Sequence, residues 1–160
     1  MASHIDDERF MEEAVKAAKD GIKGGQTPFG ACVVKDGVVV SCVHNVVWGT
    51  TDITAHAEVN AIREACKRLN SIDLSGCVIY STCEPCPMCF AACHWAKLDR
   101  IVYGATIGDA REAGFNELTV SNEEMKRQGG SPIIVVKGVL EEECKGLFGL
   151  WQAQKDKRVY

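Results

Sequence analysis

Residues 83–89 read CEPCPMC, and this stretch decides how the rest of the chain is interpreted. Cys86 and Cys89 are three positions apart at the predicted start of a helix, with Pro87 in the first turn, where proline costs no hydrogen bond. Residues at this spacing lie on one face of a helix, and the partial positive charge of a helix start lowers the pKa of thiols. Two thiolates arranged in this way form half of a tetrahedral zinc site.

The rest of such a site is predicted at residues 54–58, which read TAHAE and open a second helix. His56 can supply a third zinc ligand. Three protein ligands leave one position for water, which is typical of catalytic rather than structural zinc sites. Glu58, two residues further on, can take a proton from that water and pass it to a substrate nitrogen. The order H-x-E followed by P-C-x-x-C is the signature of zinc deaminases.

The same cysteines allow two alternative interpretations. The four cysteines between residues 83 and 93 follow the C-x₂-C-x₂-C-x₃-C spacing of an iron–sulfur site, although no proline follows the last of them. That interpretation leaves the H-x-E motif without a role, and there is no second cysteine run. The other alternative is a non-catalytic zinc-binding module, in which Cys83 or Cys93 is a fourth ligand.

Hydrophobic periodicity and turn signals predict an α/β domain. Asp36-Gly37 separates two β-rich runs and is a strong hairpin signal. Helices and strands then alternate. This order favours a three-layer α/β/α sandwich with a five-stranded mixed sheet, in which the first two strands are antiparallel and the others at least partly parallel. The predicted elements are helices at 3–23, 55–69, 86–97, 122–128 and 141–155, and strands at 29–35, 38–45, 77–80, 101–104 and 133–137.

Length and composition limit the class of protein. The 160 residues, 46% hydrophobic and 25% charged, are typical of a single globular domain over 1–160. No apolar run is long enough for a membrane span, and the acidic start is not a signal peptide. The net charge of −4 disfavours a nucleic-acid partner.

The cysteine count predicts the redox state and the compartment. Nine cysteines, an odd number, without an export signal predict reduced thiols in the cytoplasm. Those outside the CEPCPMC region are expected to fill the core as small apolar side chains. They are Cys32, Cys42, Cys66, Cys77 and Cys144.

The chain resembles the cytidine-deaminase-like superfamily of zinc-dependent nucleobase deaminases over nearly its whole length. The resemblance rests on PFG at 28–30, HAEV at 56–59, EPCPMC at 84–89 and the terminal Tyr160. Within the superfamily the chain is most similar to the small guanine and guanosine deaminases. The resemblance implies a cytidine-deaminase-like fold, one Zn²⁺ per chain and a homodimer, in which a C-terminal helix at about 141–155 can be exchanged between subunits.

The resemblance also implies roles for ten residues. For the chemistry, His56, Cys86 and Cys89 bind zinc, Glu58 transfers protons, and Glu117 assists with the leaving amine. For the substrate, Asn45 hydrogen-bonds the base, Ala57 contacts it, and Phe29 and Trp95 pack against its ring. Tyr160 closes a pocket, which in some members is that of the neighbouring subunit.

The expected activity is hydrolytic deamination of a small aminated nucleobase or nucleoside, with guanine (to xanthine and ammonia) or guanosine favoured. Cytosine or cytidine is the main alternative. Deamination of adenosine in tRNA is a further one, for which 155–158 is the only compact basic cluster near a terminus. The chain departs from the family pattern at Asn116-Glu117, where two aspartates are usual, and at Gln26-Thr27, where two glycines are usual. Both changes can alter specificity.

Overall fold

A computed structural model describes the backbone of residues 4–160 and the side chains of residues 6–160. Ser3, the predicted first residue of the N-terminal helix, lies outside the described residues. The elements in chain order are α1 (His4–Lys23), β1 (Gly30–Lys35), β2 (Val38–His44), α2 (Val47–Thr50), α3 (Ala57–Leu69), β3 (Cys77–Cys83), α4 (Pro87–Trp95), β4 (Arg100–Ala105), α5 (Ile107–Glu112), α6 (Asn122–Gly129), β5 (Ile134–Lys137) and α7 (Glu141–Gln152).

The five strands form one mixed sheet in the order β2-β1-β3-β4-β5. Strand β1 is antiparallel to both β2 and β3, whereas β3, β4 and β5 are parallel. The turn between β1 and β2 has positive φ at both Asp36 (50°) and Gly37 (74°), as expected for a tight hairpin with these residues. The predicted five-stranded mixed sheet is therefore confirmed.

Two hydrophobic clusters, one on each face of the sheet, produce the three layers. Along β1, Cys32 and Val34 join the cluster with α1 and α7, while Ala31 and Val33 join the cluster with α3 and α4. This alternation follows from the period of two in a strand. The predicted three-layer α/β/α sandwich is confirmed.

Helix α1 lies directly on the start of β1, where the chain enters the region of the site. A Cβ atom at Gly30 would lie 2.1 Å from the carbonyl oxygen of Ala14 and 2.8 Å from the amide nitrogen of Ala18. Only glycine allows such an approach of two backbones. The glycine of the PFG motif therefore has a packing role beside the site.

A largely buried ion pair links α1 to the sheet. Tyr80 in β3 donates its hydroxyl to Asp7 Oδ1 at 2.7 Å, and Arg100 in β4 contacts Asp7 Oδ2 at 3.0 Å. We expect Asp7→Asn to lower the free energy of unfolding by about 3 kcal/mol, because it leaves a partly buried guanidinium without its counter-charge. Urea denaturation measures the change.

The control for this prediction is Asp20→Asn on the same helix. The Asp20 side chain is 61% exposed and pairs with Lys23, so its loss should change stability by about 0.5 kcal/mol or less. Equal changes in the two variants would show that the Asp7 contacts do not stabilise the fold.

Two of the cysteines differ from the prediction of nine reduced thiols. Cys32 and Cys42 are direct register partners on β1 and β2, and a disulfide joins them. The prediction of reduced core cysteines was wrong at these positions, because the register of the β1–β2 hairpin, which shifts between Val33 and Val34, decides that these two cysteines face each other. The other seven cysteines are free, with Cys77 and Cys144 buried as predicted and Cys66 only partly buried.

The ends of several elements also differ from the predicted bounds. Helices α2 and α5 were not predicted, β3 continues three residues beyond Tyr80, and α7 ends at Gln152. Helix α7 packs against α1 and β4 of its own chain. None of the helices within residues 4–160 is both long and apolar enough to cross a membrane.

Candidate functional site

Three potential metal ligands meet where two helices begin. His56 is the residue that precedes α3, Cys86 is the residue that precedes α4, and Cys89 lies in the first turn of α4. Pro87 occupies the first position of α4, as the sequence predicted. Both helices therefore direct unpaired N–H groups and a partial positive charge towards the same point, which favours thiolates there.

The distances between the three side chains fit a zinc ion. His56 Nδ1 lies 3.7 Å from Cys86 Sγ and 3.5 Å from Cys89 Sγ, and all three donor atoms lie within 4.8 Å of one another. In a tetrahedral site with Zn–S near 2.3 Å and Zn–N near 2.0–2.1 Å, the nitrogen and sulfur atoms are about 3.5 Å apart. One imidazole nitrogen and two sulfurs are also a donor set that zinc prefers.

Neither of the neighbouring cysteines belongs to this group. Within the described residues, the ligand cluster contains only His56, Cys86 and Cys89. Cys83 instead donates its thiol to the Thr106 carbonyl at 3.4 Å, and Cys93 is part of the hydrophobic core. This arrangement favours a three-ligand zinc site over the iron–sulfur site and over a site closed by a fourth thiol.

The Cys86 thiol is readily ionised. Its pKa is lowered to about 4, because its sulfur accepts hydrogen bonds from the Cys89 and His56 side chains. Since only the thiolate binds metal, the site is electrostatically prepared for a cation.

Glu58 lies beside the ligand cluster and is buried. One carboxylate oxygen accepts a hydrogen bond from the Ser81 hydroxyl at 3.1 Å, and the other lies 3.6 Å from Cys89 Sγ. Burial is the largest cause of its raised pKa, followed by the negative charge of Cys86. A carboxylate in this setting has an increased affinity for a proton, which suits a group that transfers protons.

Glu117 approaches the same cavity from the loop between α5 and α6. It lines the cavity together with Glu58, His56 and Cys86. Burial and the nearby charges of Cys86 and Glu58 raise its pKa to about 7. The loop therefore brings a second carboxyl group with an altered proton affinity to the site.

Asn45 and Tyr160 form the polar wall of the cavity. Asn45 is fully buried; its Oδ1 accepts from the Val47 amide at 3.0 Å, and its Nδ2 donates to the Tyr160 hydroxyl at 2.5 Å. The Tyr160 ring stacks on His56, with 5.5 Å between ring centroids and 30° between planes. Thr27, one of the departures from the family pattern, contacts the Tyr160 hydroxyl at 3.2 Å. The C-terminal residue thus covers the site of its own chain.

The space left between these side chains is small. Phe29 completes the lining, with its ring centroid 5.0 Å from that of Phe115. The cavity has a volume of about 20 Å³, which is room for roughly one water molecule. A nucleobase can enter this cavity only if some of the lining side chains move.

Two residues with an expected substrate contact lie elsewhere. Trp95 is 83% exposed at the last position of α4 and lines a separate groove with Ile134. It follows Cys89 by six residues, which is about 9 Å along a helix axis, so the structure does not bring it to the cavity. Ala57 is buried in the core as the first residue of α3, directly beside His56.

Two residues near the site, Ser81 and Glu84, were given no role from the sequence, and Cys83 was considered only as a metal ligand. Ser81 donates a hydrogen bond to the Glu58 carboxylate, and Cys83 and the buried Glu84 both line the cavity. Ser81 is a polar residue inside a buried stretch of β3, which was a usable signal once β3 was extended beyond Tyr80. Glu84 lies inside the EPCPMC motif, where its charge among apolar and ligand residues was the available signal.

Comparison with known proteins agrees with this geometry. A family model described as the cytidine and deoxycytidylate deaminase zinc-binding region matches residues 4–105. Guanine deaminase of Bacillus subtilis is 40% identical over 154 residues, which cover 96% of this chain and 98% of that protein. The tRNA-specific adenosine deaminase of the same organism is 36% identical over 95% of this chain and 92% of its own length.

A solved structure shares the fold. The structure of a guanine deaminase from Nitrosomonas europaea is 27% identical in sequence and superposes with a TM-score of 0.84 over 92% of this chain and 85% of that one. The similarity in sequence and in structure extends from α1 into the C-terminal part of the chain.

Proposed function

The chain belongs to the cytidine and deoxycytidylate deaminase family of zinc-binding enzymes, and from this premise we propose that its substrate is guanine or guanosine. It is a zinc-dependent deaminase, a hydrolase that acts on a C–N bond. With guanine, the proposed reaction consumes one water and yields xanthine and ammonia. The observation that carries this proposal is the similarity to a guanine deaminase over nearly the full length of both chains.

The charge around the site also supports a small substrate. Within residues 6–160, the cavity and the groove that adjoins it are lined by carboxylates and by polar and apolar side chains, and no Lys or Arg belongs to either lining. Ile53, Met88 and Leu118 are among the apolar residues that line the groove. Binding of an RNA backbone depends on cationic contacts to phosphates. The lack of cationic side chains in these linings therefore favours a base or nucleoside without phosphate.

We assign the chemistry to the chain's residues as follows. His56, Cys86 and Cys89 would hold the zinc. When bound, zinc supplies a Lewis acid that lowers the pKa of water towards about 7. Glu58 takes a proton from the attacking water and delivers protons to the adjacent ring nitrogen and to the leaving amine. Glu117, with its raised pKa, assists the departure of ammonia.

Other residues are assigned to the binding of the base. The Asn45 side-chain amide, which now donates to Tyr160, would donate to the carbonyl of the base. Phe29 would pack against its ring. Ala57 lies at a helix start, where backbone N–H groups lack intrahelical partners and can bind a polar substrate atom. Trp95 is not part of this assignment.

Tyr160 is proposed to close over the bound base. Deletion of Tyr160 is expected to raise the KM for guanine about tenfold, since a lost ring contact and a lost hydrogen bond together are worth about 1.4 kcal/mol. Zinc content should not change. Steady-state kinetics and metal analysis measure both quantities.

The matched control is Val159→Ala, which shortens an exposed side chain in the same tail. It should leave the KM unchanged. A lower KM after deletion of Tyr160 would mean that the residue only obstructs the cavity, and the closing role would then be wrong.

Deamination of adenosine in tRNA is the second candidate, because a tRNA-specific adenosine deaminase also aligns with almost the whole chain. Lys155, Lys157 and Arg158 in the tail are its best support. Cytosine and cytidine are further alternatives. A panel that measures ammonia release from guanine, guanosine, adenine, adenosine, cytosine, cytidine and a tRNA anticodon stem separates them. We expect the highest kcat/KM for guanine or guanosine, and turnover confined to RNA would overturn the proposal.

The assembly is proposed to be a homodimer. Helix α7 and Tyr160 contact their own chain in the structure, and their exchange between subunits remains a prediction. Sedimentation velocity measures the subunit number. Kinetics of mixtures of a Glu58 variant with a Tyr160-deletion variant would detect exchange, because exchange allows mixed dimers to assemble an intact site from two defective chains.

A further inference from the structure

Glu84 connects three parts of the chain through one buried carboxylate. It lies between the end of β3 and Cys86 and is 7% exposed. One carboxylate oxygen accepts from the Ile107 amide at 3.1 Å, and the other accepts from the Asn122 amide at 2.9 Å. Ile107 and Asn122 are the first residues of α5 and α6.

The segment between these two amides carries Glu117. Both ends of this segment, Ile107 and Asn122, are thus held by the same carboxylate, and that carboxylate is two residues from Cys86. The side chain of Asn122 adds a further link, because its Nδ2 donates to the Pro85 carbonyl at 2.6 Å and the residue is fully buried. The loop that carries Glu117 is therefore fastened to the metal-binding loop and not only to the core.

The chemistry of these contacts requires a carboxylate. An ionised carboxylate only accepts hydrogen bonds, and both of its oxygens face backbone donors at helix starts, where negative charge is favoured. A glutamine at this position would direct an NH₂ group at one of the two amides. One buried N–H would then lose its acceptor, and the end of the segment that it anchors would be released.

We propose that Glu84, assisted by Asn122, is a positioning residue that sets the location of Glu117 relative to the metal ligands. The inference rests on the proposed role of Glu117 and deepens it. Glu84 also lines the cavity, but both of its carboxylate oxygens accept from backbone amides, and it acts on turnover through Glu117.

The test combines amide exchange with a double-mutant cycle. In Glu84→Gln, hydrogen–deuterium exchange in peptides that cover residues 106–123 should become at least about tenfold faster, while zinc content is unchanged. The kcat for guanine should fall about 10- to 100-fold, the size expected for loss of a charge-assisted buried hydrogen bond. In a Glu117→Gln background the same substitution should cause little further loss, because two residues that act as a unit are not additive.

The matched control is Asp109→Asn on the same helix. Asp109 caps α5 by accepting from the Thr106 amide at 2.8 Å and from the Thr106 hydroxyl at 2.9 Å, so these hydrogen bonds stay within the first turn of α5. Its loss weakens α5 and should leave kcat unchanged. If Glu84→Gln fails to fold, Asn122→Ala, which retains the backbone N–H, takes its place in the cycle with the same expectations.

Additive losses of kcat in the cycle, unchanged exchange at residues 106–123, or loss of zinc from Glu84→Gln would each overturn the proposal. The exchange experiment needs no substrate. If the wild-type protein deaminates no compound of the panel, the proposed function fails, whereas the exchange result still decides whether Glu84 holds the segment.

Discussion

Glu58→Gln is expected to lower kcat by about 10²- to 10⁴-fold, the range for loss of a positioned group that transfers protons. The amide of glutamine has nearly the shape of the carboxyl group and can still accept from the Ser81 hydroxyl, so the fold should be retained. It cannot take up and release a proton at neutral pH. Zinc content should remain unchanged, because Glu58 is not one of the three clustered ligands.

The control for Glu58→Gln is Glu64→Gln on the same helix. Glu64 pairs with Lys67 on the surface, and its substitution should leave kcat and stability nearly unchanged. Initial rates of ammonia release and metal analysis of both variants measure the effects. Turnover by Glu58→Gln within threefold of the wild type would remove Glu58 from the mechanism.

Cys86→Ser is expected to release the zinc and abolish activity. Changes to residues that only support a metal ligand already weaken metal binding about 10- to 100-fold, and loss of a thiolate ligand should exceed that. Cys86 is also the thiol with the lowered pKa, so it is readily available as the thiolate that binds zinc. Zinc content after dialysis and the rate of ammonia release are the two measurements.

Cys93→Ala is the matched control, since Cys93 belongs to the same cysteine run but lies in the core. This variant should retain both zinc and turnover, with some loss of stability from the missing sulfur. Equal loss of metal from the two variants would instead support a site of four cysteines, and a protein that absorbs near 400 nm would identify an iron–sulfur cluster.

The sequence predicted the layers and the metal ligands because both depend on local patterns. The structure agrees with three local patterns in the sequence. They are the helical periodicity, the tight turn at Asp36-Gly37 and the alternation of side chains along β1. The spacing of Cys86 and Cys89 at a helix start is equally local. Only the contact of these cysteines with His56 depends on the tertiary structure. It was predicted because the H-x-E and P-C-x-x-C motifs together form the deaminase signature.

The features that were missed depend on strand register or on weak local signals. Cys32 and Cys42 become partners only through strand register. The ring contact expected of Trp95 stays a prediction, and the structure places this residue at the exposed far end of the helix that contains Cys89. Helix α5 has a capping pair at Thr106 and Asp109, which was visible in the sequence and was obscured by the surrounding glycines.

The central claim is that zinc has three protein ligands and an open fourth position beside Glu58. Zinc K-edge X-ray absorption of the purified protein tests it most directly. The account predicts one zinc per chain with two sulfur atoms at about 2.3 Å and two nitrogen or oxygen atoms at about 2.0–2.1 Å. Three or four sulfur ligands, or a protein that binds no zinc, would contradict it.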